Sequence, residues 1–354
     1  MKKYLMKGNE AIAEAAIQAG CRFYFGYPIT PSTEIIEYMA QKMQKVGGTF
    51  LQAESEIAAI YMVFGAAGAG KRVMTASSSI GISLKQEGIS FLAANELPAV
   101  IVNIMRTGPG LGGLGPSQAD YFQAVKGGGH GDYRLIVLAP SSVQEMADLI
   151  MDGFDLADLH RNPVMILADG ILGQMMEPVV FHNRKPIEVD KSWATTGAKD
   201  RPRNMITSYN LQNEAGEAKA LYLENKYKGI KEREQRWEVY RMEDAEYVFV
   251  AYGTSARIVK GVVDTLREED HKVGLIRPIT LWPFPEKAFT PIIQKVKGYM
   301  VVEMSAGQMV EDVKLNVNGA APVAFYSRQG GITPQHDEMK EKFYQSFDVR
   351  GMRI

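Results

Sequence analysis

Two consecutive α/β units, each built on a largely parallel sheet, are predicted from three observations. Short β-rich runs alternate with longer helical patterns over residues 22–169, a strongly charged segment at 224–246 interrupts the rhythm, and a second alternation begins at Tyr247. Such alternation is how parallel strands joined by crossover helices read in a sequence. The units are expected at 1–235, with the charged connector at the end, and at 245–354.

In the first unit, strands are expected near 23–26, 49–53, 73–76, 99–104, 135–138 and 164–168. Helices fall between them. In the last of these, over 142–159, Val143, Met146, Ala147, Ile150 and Phe154 fall on one face at helical spacing. Between Arg106 and Arg134 there is no apolar period but there are nine glycines, and a loop of that length inside a compact domain is usually functional. The segment 224–246 holds 13 charged residues in 23, with Glu224 and Lys228, and Glu232 and Arg236, at the i, i+4 spacing of a solvated helix. An exposed helical connector is therefore expected there. Strands near 247–251, 273–277, 299–302 and 323–326 make up the second unit.

Composition removes several function classes. With 354 residues and 46% hydrophobic content the chain can bury two cores, so disorder is excluded. A formal charge of −1 without a basic block argues against nucleic acid as a partner. Apolar stretches are strand-sized and the lysine-bearing first residues lead into no signal-type segment, so a soluble, cytoplasmic protein without membrane contact is expected. A single cysteine, Cys21, rules out an internal disulfide and any metal or iron-sulfur site held by several thiolates of this chain. It reads as a buried small side chain. No two of the five histidines stand at i, i+4 ligand spacing, so this chain is expected to bring no metal site.

Two glycine motifs invite a nucleotide reading and fail it. Residues Gly65 to Lys71 match phosphate-loop spacing, but Arg72 stands where a Ser or Thr should bind the metal, and the glycines end an alanine-rich helix instead of opening one. Gly108 to Gly113 lacks the dinucleotide spacing. A nucleotide- or anion-binding module centred on Gly65 to Lys71 is the competing reading from another class; such a module should bind its ligand without a partner.

Three other features converge. In Gly26-Tyr27-Pro28-Ile29-Thr30-Pro31-Ser32, Thr30 is placed as a helix N-cap with Pro31 in the first helical position. Glu54-Ser55-Glu56 opens the next helix, where acidic residues favour the dipole. Arg106 follows the fourth strand. All three lie at carboxyl ends of strands in one predicted sheet, where open α/β folds bind ligands.

These residues, in this order, resemble the α subunit of 2-oxoacid:ferredoxin oxidoreductases. The resemblance is carried by Gly8-Asn9-Glu10-Ala11, Tyr27-Pro28-Ile29-Thr30-Pro31-Ser32, Glu54-Ser55-Glu56-Ile57-Ala58, Thr75-Ala76-Ser77-Ser78, Arg106-Thr107-Gly108-Pro109 and Leu138-Ala139-Pro140. In the second unit it is carried by residues Gly274 to Pro285. It implies a pyrimidine-binding domain for thiamine diphosphate followed by a transketolase C-terminal-like domain. By the same resemblance, Glu54 would hydrogen-bond the cofactor's ring nitrogen, with Glu56 as the competing assignment. Ser77 and Ser78 would line the cofactor, and Thr30 and Arg106 would hold the 2-oxoacid carboxylate. The overall similarity points to the 3-methyl-2-oxobutanoate type, with a 2-oxoglutarate enzyme as the alternative; the latter needs a further cation, for which Arg134 and Lys126 are unplaced. No segment matching the family's diphosphate and magnesium motif is present. The resemblance therefore implies a β subunit carrying diphosphate, magnesium and the proximal [4Fe-4S] cluster, together with ferredoxin-like and γ-type subunits, and ferredoxin and coenzyme A as reaction partners.

Overall fold

The computed structural model describes residues 2–182 and 184–349; Met1 and residues 350–354, the outer ends of the two expected units, lie outside the described residues. The chain runs β1 (Lys3–Lys7), α1 (Gly8–Gln18), β2 (Phe23–Gly26), α2 (Thr33–Lys42), β3 (Thr49–Gln52), α3 (Glu56–Gly68), β4 (Val73–Ser77), α4 (Ile80–Ala94) and β5 (Val100–Met105). It continues through α5 (Tyr121–Val125), β6 (Ile136–Leu138), α6 (Val143–His160), β7 (Val164–Asp169), α7 (Gly170–Gln174), β8 (Met176–Val180) and α8 (Asn213–Arg233). The remainder is β9 (Trp237–Tyr240), β10 (Tyr247–Val250), α9 (Gly253–Glu268), β11 (Val273–Pro278), β12 (Thr280–Trp282), α10 (Glu286–Phe289), β13 (Gly298–Glu303), α11 (Met309–Val317), β14 (Val323–Ser327) and α12 (His336–Phe347).

The first sheet has the order β12-β6-β7-β5-β4-β2-β3 and is parallel except for β12. Its central strands β5 and β7 are buried along their whole length, which explains why they read as unbroken apolar runs. On one face α1, α2 and α6 supply Ile12, Ala16, Ile35, Met39, Met146 and Ile150 to the core. On the other face α3 and α4 contribute Ile60, Val63, Ile82 and Ile89, and this core continues without a break into Val250, Tyr252, Ile276 and Val301 of the second unit.

The second sheet has the order β14-β13-β10-β11-β9, parallel except for β9. Two features cross the expected division. Strand β9 lies ahead of residue 245 yet pairs with β11, and β12 leaves the second unit to pair with β6 of the first sheet. The charged segment is accordingly not one helix. Helix α8 ends at Arg233; the Glu224–Lys228 pair forms at 2.7 Å, whereas Arg236 pairs with Asp152 at 2.6 Å instead of with Glu232. The long glycine interval also differs from expectation in containing the short helix α5, whose Tyr121 is fully buried.

Gln118 joins the units. Its Nε2 donates to the Tyr252 carbonyl at 2.9 Å, and its Oε1 accepts from Ser255 Oγ at 2.7 Å and from the Met304 N–H at 2.9 Å. Gln118→Leu leaves two buried donors without an acceptor, at about 1–3 kcal/mol each. The expected result is a loss of about 2–6 kcal/mol in urea unfolding; an unchanged midpoint would show that Gln118 does not hold the units together.

Candidate active site at the carboxyl edge of the first sheet

After β2 the chain makes a tight turn closed by the Ser32 N–H on the Ile29 carbonyl at 3.0 Å, and Ser32 Oγ donates to the same carbonyl at 2.8 Å. The expectation that Thr30 caps the helix is thereby corrected. Helix α2 begins at Thr33 with Ser32 in the cap position, because residues 29–32 are used by the turn. Fully buried Asn9 braces the turn from α1, donating to the Pro31 carbonyl at 2.7 Å and to Glu34 at 2.8 Å. Thr30 is left exposed on the edge of a cavity of about 610 Å³, lined also by Pro31, Leu114, Pro116, Ile171 and Glu34.

Arg106 reaches the same point from the end of β5. It is 8% exposed, its Nη1 donates to the Thr30 carbonyl at 3.0 Å, and its Nη2 donates to the Leu111 carbonyl at 3.1 Å. Its Nε is buried without a partner. Thr30 and Arg106, 76 positions apart, are thus brought into contact. The glycine loop that follows is folded back by the Thr107 N–H on the Gly115 carbonyl and the Gly113 N–H on the Thr107 carbonyl, both at 3.0 Å. Gly112 has φ +60°, and a Cβ there would sit 1.7 Å from the Thr107 carbonyl oxygen, so no other residue fits the loop. Gly331 of the second unit closes on Gly115 so tightly that a Cβ on the latter would be 2.7 Å from the Gly331 Cα.

A polar network behind Arg106 was not foreseen from the sequence. Ser79, at φ +31°, accepts the Arg106 N–H at 2.9 Å on its Oγ and donates to Asp120 at 2.7 Å, while Asn103 donates to Asp120 at 2.9 Å. Burial raises the Asp120 carboxyl above its ordinary range, against the two hydrogen bonds that pull it down. The serine run at the end of β4 was the available signal, but the backbone conformation that selects Ser79 was not.

Glu54 and Glu56 are separated by the cap of α3. Ser55 Oγ accepts the Ala58 N–H at 3.1 Å, which places Glu56 at the first helical position. Glu56 is 6% exposed, whereas Glu54 points outward and is exposed. At Gly81 of α4 an added Cβ would lie 2.1 Å from Ser77 Oγ and 2.8 Å from Glu56 Oε1, so the glycine makes room for the carboxylate beside β4. The hydroxyls of Ser77 and Ser78 are buried and have no hydrogen-bond partner. A buried carboxylate and orphaned hydroxyls under an open sheet edge fit a flat heterocycle carrying several donors and acceptors. Among the described residues no group of three or more His, Cys, Asp or Glu stands close enough to hold a metal ion.

Comparison with known proteins identifies the family. Residues 14–244 match the family model described as pyruvate flavodoxin/ferredoxin oxidoreductase, thiamine diP-bdg, and residues 245–339 match pyruvate:ferredoxin oxidoreductase core domain II. The chain belongs to the 2-oxoacid:ferredoxin oxidoreductase family.

Within this oxidoreductase family it is 55% identical to the ketoisovalerate oxidoreductase subunit VorB of Methanothermobacter marburgensis, over 94% of each chain. It is 39% identical to the 2-oxoglutarate synthase subunit KorA of Methanocaldococcus jannaschii, over 96% of this chain and 99% of that one. Among solved structures, the 2-oxoglutarate:ferredoxin oxidoreductase from Magnetococcus marinus, with 2-oxoglutarate, coenzyme A and succinyl-CoA bound, superposes with a TM-score of 0.88 at 26% identity over 98% of this chain. This chain spans 65% of that one. A split-gene transketolase, 10% identical with a TM-score of 0.58, shares the fold. The family model covering the first unit is one for thiamine diphosphate binding, so this oxidoreductase chain is a cofactor-binding subunit with an α/β architecture of transketolase type. None of its described helices is long and apolar enough to cross a membrane.

The phosphate-loop-like stretch is a helix end followed by a strand. Helix α3 ends at Gly68, Gly70 takes φ +74°, and the chain enters β4 instead of a helix, so those glycines open no helix.

Proposed function

We propose that this chain is the pyrimidine-binding subunit of a complex that oxidatively decarboxylates branched-chain 2-oxoacids, 3-methyl-2-oxobutanoate foremost. The acyl group passes to coenzyme A and the electrons to ferredoxin. The observation that carries the substrate choice is the cavity beside Thr30. Its apolar lining comes from Pro31, Leu114, Pro116 and Ile171, its charged residues are Glu34, which pairs with Lys7 at 3.0 Å, and Glu37, and Arg106 reaches it only at the Thr30 rim. An isopropyl side chain suits such a wall, whereas a second carboxylate would find there only Lys7, which Glu34 and Gln174 already engage. The two cations left unplaced by the sequence do not reach it: Arg134 precedes β6, at the opposite end of the sheet, and Lys126 pairs with Asp312 at 2.6 Å. The ketoisovalerate oxidoreductase relatives support the same choice.

In this reading Arg106 and Thr30 hold the substrate carboxylate, with the free Arg106 Nε as an additional donor, and orient the keto carbon. Ser77 and Ser78 line the pyrimidine. The buried position of Glu56 supports it, and not the exposed Glu54, as the carboxylate that meets the ring nitrogen, where it governs the proton held on the pyrimidine. Thiamine diphosphate, when bound, supplies the carbon nucleophile that adds to the keto carbon and accepts the electron pair released with carbon dioxide.

The diphosphate, magnesium and [4Fe-4S] clusters are assigned to partner subunits: a β subunit, and ferredoxin-like and γ-type chains. Exposed apolar side chains at the strand ends, Tyr27, Ile57, Leu111 and Leu114, suit coverage by the β subunit. Two measurements test this reading. The purified chain alone is expected to fold but to reduce no viologen dye with any 2-oxoacid and coenzyme A, activity returning with its partners; turnover by the chain alone would end the split-site idea. In the assembled complex kcat/KM for 3-methyl-2-oxobutanoate should exceed that for 2-oxoglutarate by about a hundredfold or more, as for a pocket that leaves a charge unpaired. The reverse order would assign a 2-oxoglutarate enzyme.

A further inference from the structure

Lys85, on α4, is fully buried, yet among the described residues no carboxylate stands at ion-pair distance from it. Its Nζ donates to the backbone carbonyl of Glu56 at 3.3 Å and to Thr75 Oγ1 at 3.2 Å. A buried ammonium held only by neutral acceptors is costly, and a methionine would fill the same space without that cost. Gly81, one helical turn earlier, lies against Glu56 Oε1 and Ser77 Oγ. The same face of α4 thus makes room for the carboxylate and inserts a cation below it.

We infer that Lys85 is a positioning residue for the reaction, anchoring the first turn of α3 through the Glu56 carbonyl and placing a positive charge beside the Glu56 carboxylate that faces the pyrimidine. The inference rests on the reading of Glu56 given above. The charged surroundings are simple. Burial lowers Lys85 to about 8, and the charge of Glu56 opposes that drop. Glu87 on the same helix turns away to Tyr61, Thr75 and Ser77 on β4 are uncharged, and Asp120 is engaged by Ser79 and Asn103. The ammonium therefore loses its proton at mildly alkaline pH, and the support it gives to Glu56 is present below that range and lost above it.

The test is a thiamine diphosphate titration of the assembled complex across pH, followed by protein fluorescence, so that binding is read independently of turnover. Wild-type affinity is expected to fall as pH rises past about 8. Lys85→Met should bind about tenfold more weakly at neutral pH, equivalent to roughly 1.4 kcal/mol, and lose that alkaline fall. Thr75→Val, which keeps the amine and removes one acceptor, should move the fall to lower pH and serves if Lys85→Met does not assemble. Wild-type affinity and an unshifted pH profile in both variants overturn the inference. Glu56→Gln in the same titration separates the two claims. If it leaves both binding and turnover intact, the assignment of Glu56 fails; if it is severe while the Lys85 and Thr75 variants behave as wild type, only the role of Lys85 fails.

Discussion

Glu56→Gln in the assembled complex is expected to lower kcat by roughly a hundred- to ten-thousand-fold, the range for losing a positioned acid-base group. Glu54→Gln should cost far less. The ranking follows from where Ser55 caps α3. With the Ser55 hydroxyl on the Ala58 N–H, Glu56 opens the helix and is buried against Gly81 and Ser77, while Glu54 remains in solvent. An amide keeps the volume of the carboxylate but not its charge, so it cannot govern the pyrimidine proton in the same way. Exchange of the cofactor's thiazolium proton, measured with deuterium by rapid quench, should slow in parallel with turnover. A severe Glu54→Gln beside a mild Glu56→Gln, in samples with equal cofactor content, would return the assignment to Glu54.

Arg106→Ala is expected to reduce kcat/KM for the 2-oxoacid by an amount equivalent to about 2–5 kcal/mol. Two losses combine. The charged donors beside Thr30 disappear, and the Thr30 and Leu111 carbonyls lose the guanidinium that ties the turn after β2 to the glycine loop. Arg106→Lys should recover only part of the activity, because a single ammonium cannot span both carbonyls and still present a donor to substrate. Thr30→Val keeps the shape of the side chain and removes its hydroxyl, with an expected cost of about 1–3 kcal/mol in the same ratio. Thiamine diphosphate content should stay near wild type in the conservative variants. Unchanged kinetics for Arg106→Ala and Thr30→Val with 3-methyl-2-oxobutanoate, pyruvate and 2-oxoglutarate would remove the substrate site from this edge of the sheet.

The parallel strands were legible in the sequence for a local reason. Residues Val100–Met105 and Val164–Asp169 are buried on both faces, so nearly every position is apolar and the run is visible without its neighbours. Once the strands were known, Thr30, the Glu54-Ser55-Glu56 motif and Arg106 had to lie at one edge, because each follows a strand of the same parallel sheet. The rest was decided by partners distant in the chain. Thr280–Trp282 is too short to announce itself and becomes a strand only because β6 offers an open edge, and Trp237–Tyr240 sits in a charged segment whose extended form is set by pairing with β11. Thr30 had the composition of a helix cap, but the turn at Ile29–Ser32 moved the cap two residues on. Of two glutamates in one polar motif, packing of α3 against Gly81 chose which is buried, and Lys85 reads as an ordinary helix lysine until α4 is laid over β4. Local pattern determines which residues form strands and helices; which polar side chain is desolvated depends on what packs over it, and only the tertiary structure supplies that.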